Sequence, residues 1–263
     1  MIETAVAFDD GAAYERYMGR GSLAVGAVFL DWLAPVKGAR WLDVGCGTGV
    51  FTELLLDTCS PAAVVAVDPA ATQIDYARKR LVAQRADFRV SDAQMLPFPD
   101  RSFDVVASAL VINFISDRPR ALAEMRRVGR PGGSVAGYVW DFAADRAPGW
   151  PLTLGLRRIG VEPPQVPGVK DSTIEGLQSL FEQAGLEEIA VQPIDVTVTF
   201  PNFDDYWHSQ TPIFRPHGKV IATLTASDRV KLVEAVRAIL PVGCDGSIAC
   251  SARANAIKSR VPS

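Results

Sequence analysis

Along the first half of the chain, short β-branched and apolar runs alternate with longer stretches of helical period. This is the pattern of a mostly parallel sheet covered by helices. The first run, 40–44 (RWLDV), enters a glycine-rich turn at 45–49. Residues 50–58 are expected to be helical, with Phe51, Leu54 and Leu55 on one face. A second strand at 63–67 (AVVAV) ends at Asp68-Pro69, and 71–83 follows as a helix with Ile74, Ala77 and Leu81 inward. A third strand at 87–90 runs into Ser91-Asp92-Ala93. Two prolines exclude regular helix from Leu96-Pro97-Phe98-Pro99-Asp100, so this loop leads directly to a fourth strand at 103–110 (FDVVASAL). Asp117 is the expected N-cap of a helix at 118–128, with Pro119 in its first turn. Arg130-Pro131-Gly132-Gly133 ends that helix and turns the chain into a fifth strand at 134–140.

Beyond Trp140 the pattern changes. Residues 143–170 are rich in Pro and Gly and are expected to form loops around one short helix at 152–159. A helix at 172–185, with Ile174, Leu177, Leu180 and Phe181 inward, stops at Gly185. A long sixth strand is expected at 188–200, and 201–218 reads as aromatic-rich and irregular. An amphipathic helix at 226–240 precedes a final strand at 247–257 (SIACSARANAI). No internal repeat or low-complexity tract interrupts this order. The expectation is a single domain, 1–263, with insertions at 143–170 and 201–245 after the fifth and sixth strands.

Composition narrows the function class. The 263 residues suit one large domain, and 48% hydrophobic with 22% charged residues supply an ordinary globular core. A net charge of -3 lacks the basic surface of a dedicated nucleic-acid binder, so no nucleic-acid partner is expected. The opening residues mix acids, bases and aromatics, unlike a signal peptide. No run reaches the roughly eighteen apolar residues of a membrane-spanning helix, and a cytoplasmic location is the expectation. Cys46, Cys59, Cys244 and Cys250 form no C-x-x-C pair, and only His208 and His217 accompany them. Neither a metal site nor a disulfide framework is expected.

The chemistry centres on Leu42-Asp43-Val44-Gly45-Cys46-Gly47-Thr48-Gly49. A strand that ends in closely spaced glycines and opens a helix lets a ligand approach backbone. In a doubly wound sheet that turn lies at the carboxyl ends of the strands, where ligands bind. Asp68, nineteen residues after Gly49, is placed to accept hydrogen bonds from ribose hydroxyls. Asp92 ends the third strand beside the small Ala93 and is placed to meet an adenine amino group. Asp43 orients either the turn or a cationic amine. Three carboxylates at successive strand ends suit a ligand with ribose, adenine and ammonium groups, and suit a pyrophosphate poorly. Cys46 does not read as a nucleophile, because no histidine is near it in sequence.

The series WLDVGCGTG, VVAVDPA, SDAQMLPFPDRSFDVV and RVGRPGG resembles the motif series of class I S-adenosylmethionine-dependent methyltransferases. It is most similar to the bacterial branch that includes the ubiquinone/menaquinone C-methyltransferases, and the resemblance covers about half the chain, from Tyr14 to Phe142. It implies an α/β, Rossmann-like, doubly wound seven-stranded mixed sheet, its last strand antiparallel, with helices on both faces. It implies S-adenosylmethionine as cofactor and a small-molecule methyl acceptor. Gly45, Cys46 and Gly47 would line the methionine portion; Asp68 would hold the ribose, flanked by Pro69 and Gln73. Asp92 and Ala93 would bind adenine, with Gln94 and Met95 beside the ring, and Leu110 and Asn113 would border the methyl group. An N-terminal helical segment, 1–38, would close over the cofactor, with Tyr14 lining it and Arg20 pairing with the methionine carboxylate. One subgroup of this branch often has an aromatic residue after that arginine, where this chain has Gly21.

Other functions remain open at this level. A non-catalytic S-adenosylmethionine-binding regulatory protein would share every motif. A nicotinamide-dependent oxidoreductase would need G-x-G-x-x-G, where this chain has Gly45, Gly47, Gly49 and Val50. Aminopropyl transfer would need an acidic polyamine site. No general base is assigned; His208, His217 and Asp141 are candidates, and Phe203, Tyr206, Trp207 and Phe214 are candidate acceptor-pocket walls or simple packing. Oligomeric state is not legible.

Overall fold

The computed structural model describes residues 11–213 and 215–263, with side chains described from residue 21 onward except that of Leu81. A long helix α1 (Gly11–Leu33) leads into β1 (Arg40–Val44), α2 (Val50–Cys59), β2 (Ala63–Asp68), α3 (Ala71–Ala77) and β3 (Asp87–Val90). Next come β4 (Phe103–Ala109), α4 (Arg118–Val128), β5 (Gly129–Trp140), α5 (Trp150–Arg158), α6 (Ile174–Gln183) and β6 (Glu187–Phe200). The chain ends with α7 (Phe203–Gln210), α8 (Pro216–Ala222), α9 (Ala226–Arg237) and β7 (Ile248–Arg260).

The strands form one seven-stranded sheet in the order β3-β2-β1-β4-β5-β7-β6. β1 pairs in parallel with both β2 and β4, so the strand order reverses there and a crevice opens at its carboxyl end. Strands β1, β2 and β4 are buried along almost their whole length, as parallel strands covered on both faces must be. Alternation along β1 divides the core. Trp41 packs with Val25, Phe29, Phe51, Leu55 and Tyr138 beneath α1 and α2. Leu42 and Val44 face Leu122, Met125, Leu177 and Phe181 beneath α4 and α6.

β7 runs antiparallel between β5 and β6, as the resemblance implies. Its pairing with β5 stops at Trp140↔Ala254, while its pairing with β6 continues to Phe200↔Ile248. The β6–β7 ribbon therefore projects past the carboxyl ends of the parallel strands. A third apolar cluster forms on it, where Leu152 and Leu156 of α5, Tyr206 of α7 and Leu232 and Val236 of α9 pack on Val198, Phe200 and Cys250. Both inserted segments are thus anchored at the ligand-binding edge of the sheet.

Four expectations need correction. The helix expected at 71–83 ends at Ala77, where Arg78 turns its guanidinium onto the Phe88 carbonyl (2.8 Å). A 3-10 turn, Leu81–Gln84, then buries Val82 and sustains the apolar period that suggested helix. Residues 130–133 belong to β5 rather than to a turn, because Gly132 N–H donates to Val261 and Val261 N–H to Gly133. Leu110 leaves β4 with a φ of 63°. The irregular stretch expected at 201–218 contains α7, capped by the Asn202 side chain on Asp205 N–H, and the start of α8, with Pro216 in its first turn.

Candidate active site

The glycine-rich turn owes its shape to backbone that only glycine adopts freely: φ is 79°, 52° and 85° at Gly45, Gly47 and Gly49. At Gly45 a β-carbon would lie 2.6 Å from the Val111 side chain, so the turn after β1 packs directly on the residue after Leu110. Gly45 and Cys46 N–H groups both donate to the Val67 carbonyl (2.8 and 3.0 Å), stitching the turn to the end of β2. From that same strand end, Asp68 accepts Gly47 N–H through Oδ2 (3.0 Å) and Ala70 N–H through Oδ1 (2.9 Å). Burial holds the Asp68 pKa above the ordinary carboxylate value, with the Ala70 and Gly47 N–H groups opposing the rise. Each carboxylate oxygen has a second lone pair, so Asp68 keeps the capacity to accept two further hydrogen bonds.

Asp43 is wholly buried at the end of β1. Its Oδ2 accepts the Thr52 hydroxyl at 2.6 Å, and its Oδ1 has no partner among the described residues. Burial pushes its pKa up to about 7, opposed by the Thr52 hydrogen bond and reinforced by the charge of Asp68. Thr52, the third residue of α2, is a contact of this candidate site that the sequence reading missed, and its place in the first turn of the helix is the only signal for it. Cys46 is buried with its thiol pKa well above normal, from burial first and then the charges of Asp43 and Asp68. A thiol held protonated in this way is poorly suited to nucleophilic attack.

On the far side of the crevice, Asp92 is exposed and braced by Gln94, whose amide Nε2 lies 3.0 Å from both carboxylate oxygens. Gln94 Oε1 accepts from the Ser116 hydroxyl and Asp117 N–H, tying the end of β3 to the start of α4. Gln94 is thus a brace for Asp92 as well as its neighbour. Ala93 and Gln73 are buried, Pro69 and Met95 exposed. Leu110 is buried beside the turn. Asn113 is fully buried, and its Nδ2 donates to the Pro167 carbonyl (3.2 Å), so it fastens the first insertion to the turn after β4. Its Oδ1 has no partner among the described residues. The side chains of Tyr14 and Arg20 lie outside the described residues, as does Phe214.

α1 crosses this edge of the sheet. A β-carbon at Gly21 would meet the Trp140 indole at 3.0 Å, so Trp140 fills the volume that an aromatic residue at position 21 would need. From Val25 onward α1 is core, with Val25, Phe29, Leu30 and Leu33 buried. Asp141 caps the following turn by accepting Ala144 N–H. His208 is exposed, its Nδ1 2.7 Å from the Asp204 carbonyl. His217 contacts Thr153 Oγ1 through Nε2 (2.9 Å), and burial, then the charge of Arg215, lowers its pKa to about 4. Phe203 and Tyr206 are core residues of the third cluster, with Trp207 partly buried against it. Among the described residues no group of three His, Cys, Asp or Glu side chains could hold a metal, and no helix is long and apolar enough to cross a membrane.

Residues 42–137 match the methyltransferase-domain family model. Across 131 residues the chain is 36% identical to a malonyl-[acyl-carrier protein] O-methyltransferase of Serratia marcescens, covering 50% of this chain and 47% of that one. Across 139 residues it is 37% identical to the ubiquinone/menaquinone biosynthesis C-methyltransferase UbiE of Dinoroseobacter shibae, covering 51% and 55%. The chain spans about half the length of these curated relatives. In fold it is similar to Haemonchus contortus phosphoethanolamine N-methyltransferase 2, solved in complex with S-adenosyl-L-methionine: TM-score 0.59, 19% identity, 96% of this chain and 57% of that one. The switch-point glycine turn and its acidic partners Asp43, Asp68 and Asp92 all fall within residues 42–137, the segment that matches the methyltransferase-domain model.

Proposed function

We propose that this protein binds S-adenosylmethionine at the β1–β4 switch point and transfers its methyl group to a small-molecule acceptor held under the two insertions. The observation that carries the reading is the placement of Asp43 and Asp68 around one glycine-rich turn, with Asp92 at the next strand end. The residues fit the cofactor. Asp43 has a buried oxygen with no partner among the described residues, Asp68 has spare lone pairs for ribose hydroxyls, and Asp92 is exposed at the adenine end. Three carboxylates favour an ammonium and a sulfonium over a pyrophosphate.

When bound, S-adenosylmethionine supplies an electrophilic methyl group. What the chain itself contributes is position and exclusion of water. Val111 and Leu110 form an apolar floor against the glycine turn, and Asn113 holds the 163–168 segment over it. None of the histidines or Asp141 is placed by its contacts as a base for the methylated atom. Acceptors that need none, such as amines, acidic carbons or carboxylates, suit the site. The two named relatives are an O-methyltransferase of malonyl-[acyl-carrier protein] and a C-methyltransferase of ubiquinone/menaquinone biosynthesis. The test is transfer of label from methyl-labelled S-adenosylmethionine to a panel holding a malonyl thioester, a quinol and primary amines. Label appearing in one of them supports the reading, and tight cofactor binding with no transfer to any acceptor class counts against it.

A further inference from the structure

The turn after β4 is held in a costly conformation. Leu110 is a buried leucine with φ of 63°, in the left-handed region that its β-carbon disfavours. Such a residue persists only where its surroundings over-determine it. Upstream the grip is backbone, as Leu110 N–H donates to the Tyr138 carbonyl at 2.7 Å. Downstream it comes from one side chain. Arg118, the first residue of α4, donates from Nη1 to the Ile115 carbonyl (2.8 Å) and to the Asn113 carbonyl (3.3 Å). Its Nε lies 2.6 Å from Asp171 Oδ2, and the two side chains are only 23% and 24% exposed, so water screens the pair less than a surface one. The first insertion is fastened to the same turn. Asn113 Nδ2 holds the Pro167 carbonyl, and a β-carbon at Gly168 would lie 2.4 Å from the Asn113 oxygen. Arg118 therefore joins α4, the turn and the insertion, and Val111, which packs on Gly45, sits between the strained Leu110 and the carbonyls that Arg118 holds.

We propose that Arg118 is a positioning residue for methyl transfer, which keeps the strained turn in place and so sets Leu110 and Val111 beneath the methyl group. This rests on the reading that the bound methyl group lies over that apolar floor. Arg118 acts through the two side chains and not on the reacting atoms. The planar guanidinium reaches two carbonyls and a carboxylate at once, which fixes the turn in one orientation, and Asp171 fixes the guanidinium in turn. Displacement of a methyl-bordering wall by about an ångström is enough to slow an in-line transfer.

The test needs no acceptor. S-adenosylmethionine carrying a 13C-labelled methyl group is bound to the full chain, and its methyl resonance reports the surroundings of that group by 13C–1H correlation NMR. The parent should give one bound signal displaced from that of free cofactor. Arg118→Gln should move the bound signal by more than its line width, and Asp171→Asn, which only unpins the guanidinium, should move it the same way by less. Arg130→Gln breaks the ion pair with Asp104 at the opposite end of β4 and should leave the signal in place. S-adenosylhomocysteine affinity should stay within about threefold in all three variants, because Asp43, Asp68 and Asp92 lie outside the altered contacts. An unmoved signal in folded Arg118→Gln overturns the proposal; if that variant does not fold, an unmoved signal in Asp171→Asn does so. An equal movement in Arg130→Gln, or a larger loss of affinity in Arg118→Gln, overturns it as well, by making the effect one of general stability or of cofactor binding. A parent protein that binds no S-adenosylmethionine would instead sink the cofactor reading beneath it.

Discussion

Asp68 reaches from the end of β2 to the neighbouring turn and accepts the Gly47 backbone N–H through Oδ2 at 3.0 Å, while its Oδ1 serves Ala70. The residue that the cofactor reading assigns to ribose is therefore also a brace for the glycine turn. Asp68→Asn retains a single acceptor oxygen and must abandon one of the two N–H groups. A loss of about 1–2 kcal/mol in urea unfolding is expected. An unchanged midpoint would mean the brace contributes nothing.

Asp43 makes stability depend on pH. Its folded-state pKa of about 7 stands above the ordinary 3.8, so the folded protein holds this proton more tightly than the unfolded chain. Its contribution is fully present below about pH 4 and is lost as pH rises through about 7. The loss reaches roughly 4 kcal/mol at about 1.4 kcal/mol per unit. Asp43→Asn should flatten stability between those pH values and exceed the parent at pH 8, read from denaturant unfolding at each pH. A parent with no slope in that window contradicts a buried, proton-holding Asp43.

The contact between Gly45 and Val111 couples the turn to β4. Gly45→Ala adds a β-carbon at φ 79° and 2.6 Å from Val111, through left-handed strain and overpacking together. About 2–4 kcal/mol should be lost. Adding Val111→Ala should return only the packing share. A thermodynamic cycle with no coupling between the two sites would show that the residues do not meet.

Trp140 stands where an aromatic at position 21 would lie. Trp140→Ala should cost about 3–5 kcal/mol by the cavity it leaves, since the indole is buried under α1. Gly21→Phe in that background should recover part of the loss, and in the parent should be destabilising. Thermal melts of the three variants decide it; destabilisation by Gly21→Phe in both backgrounds would mean the two sites do not share one volume.

The parallel core was legible because strands covered on both faces leave uninterrupted apolar runs such as AVVAV, and the glycine turn because three positive φ angles demand glycine. Asp43, Asp68 and Asp92 were legible as strand-end acids. Their partners were not. Thr52 and Gln94 reveal themselves only once α2 and α4 are docked, and Gly21 meets Trp140 across more than a hundred residues of chain. Helices α7 and α8 escaped notice because Pro212 and Pro216 keep each shorter than the window over which a 3.6-residue period registers. Leu81 misled in the opposite sense, because it continues the period of Ile74 and Ala77 although it opens a 3-10 turn beyond the helix.

The most direct measurement is calorimetric titration of the purified protein, and of Asp68→Ala, with S-adenosylmethionine, S-adenosylhomocysteine and NADH. Both sulfur cofactors should bind the parent in the micromolar range, and NADH should give no heat. Affinity for both should fall about 30- to 100-fold in Asp68→Ala, the loss of roughly 2–3 kcal/mol of charged hydrogen bonding. Folded parent protein that binds neither cofactor, or binds them equally well without the Asp68 carboxylate, would contradict the assignment of this site.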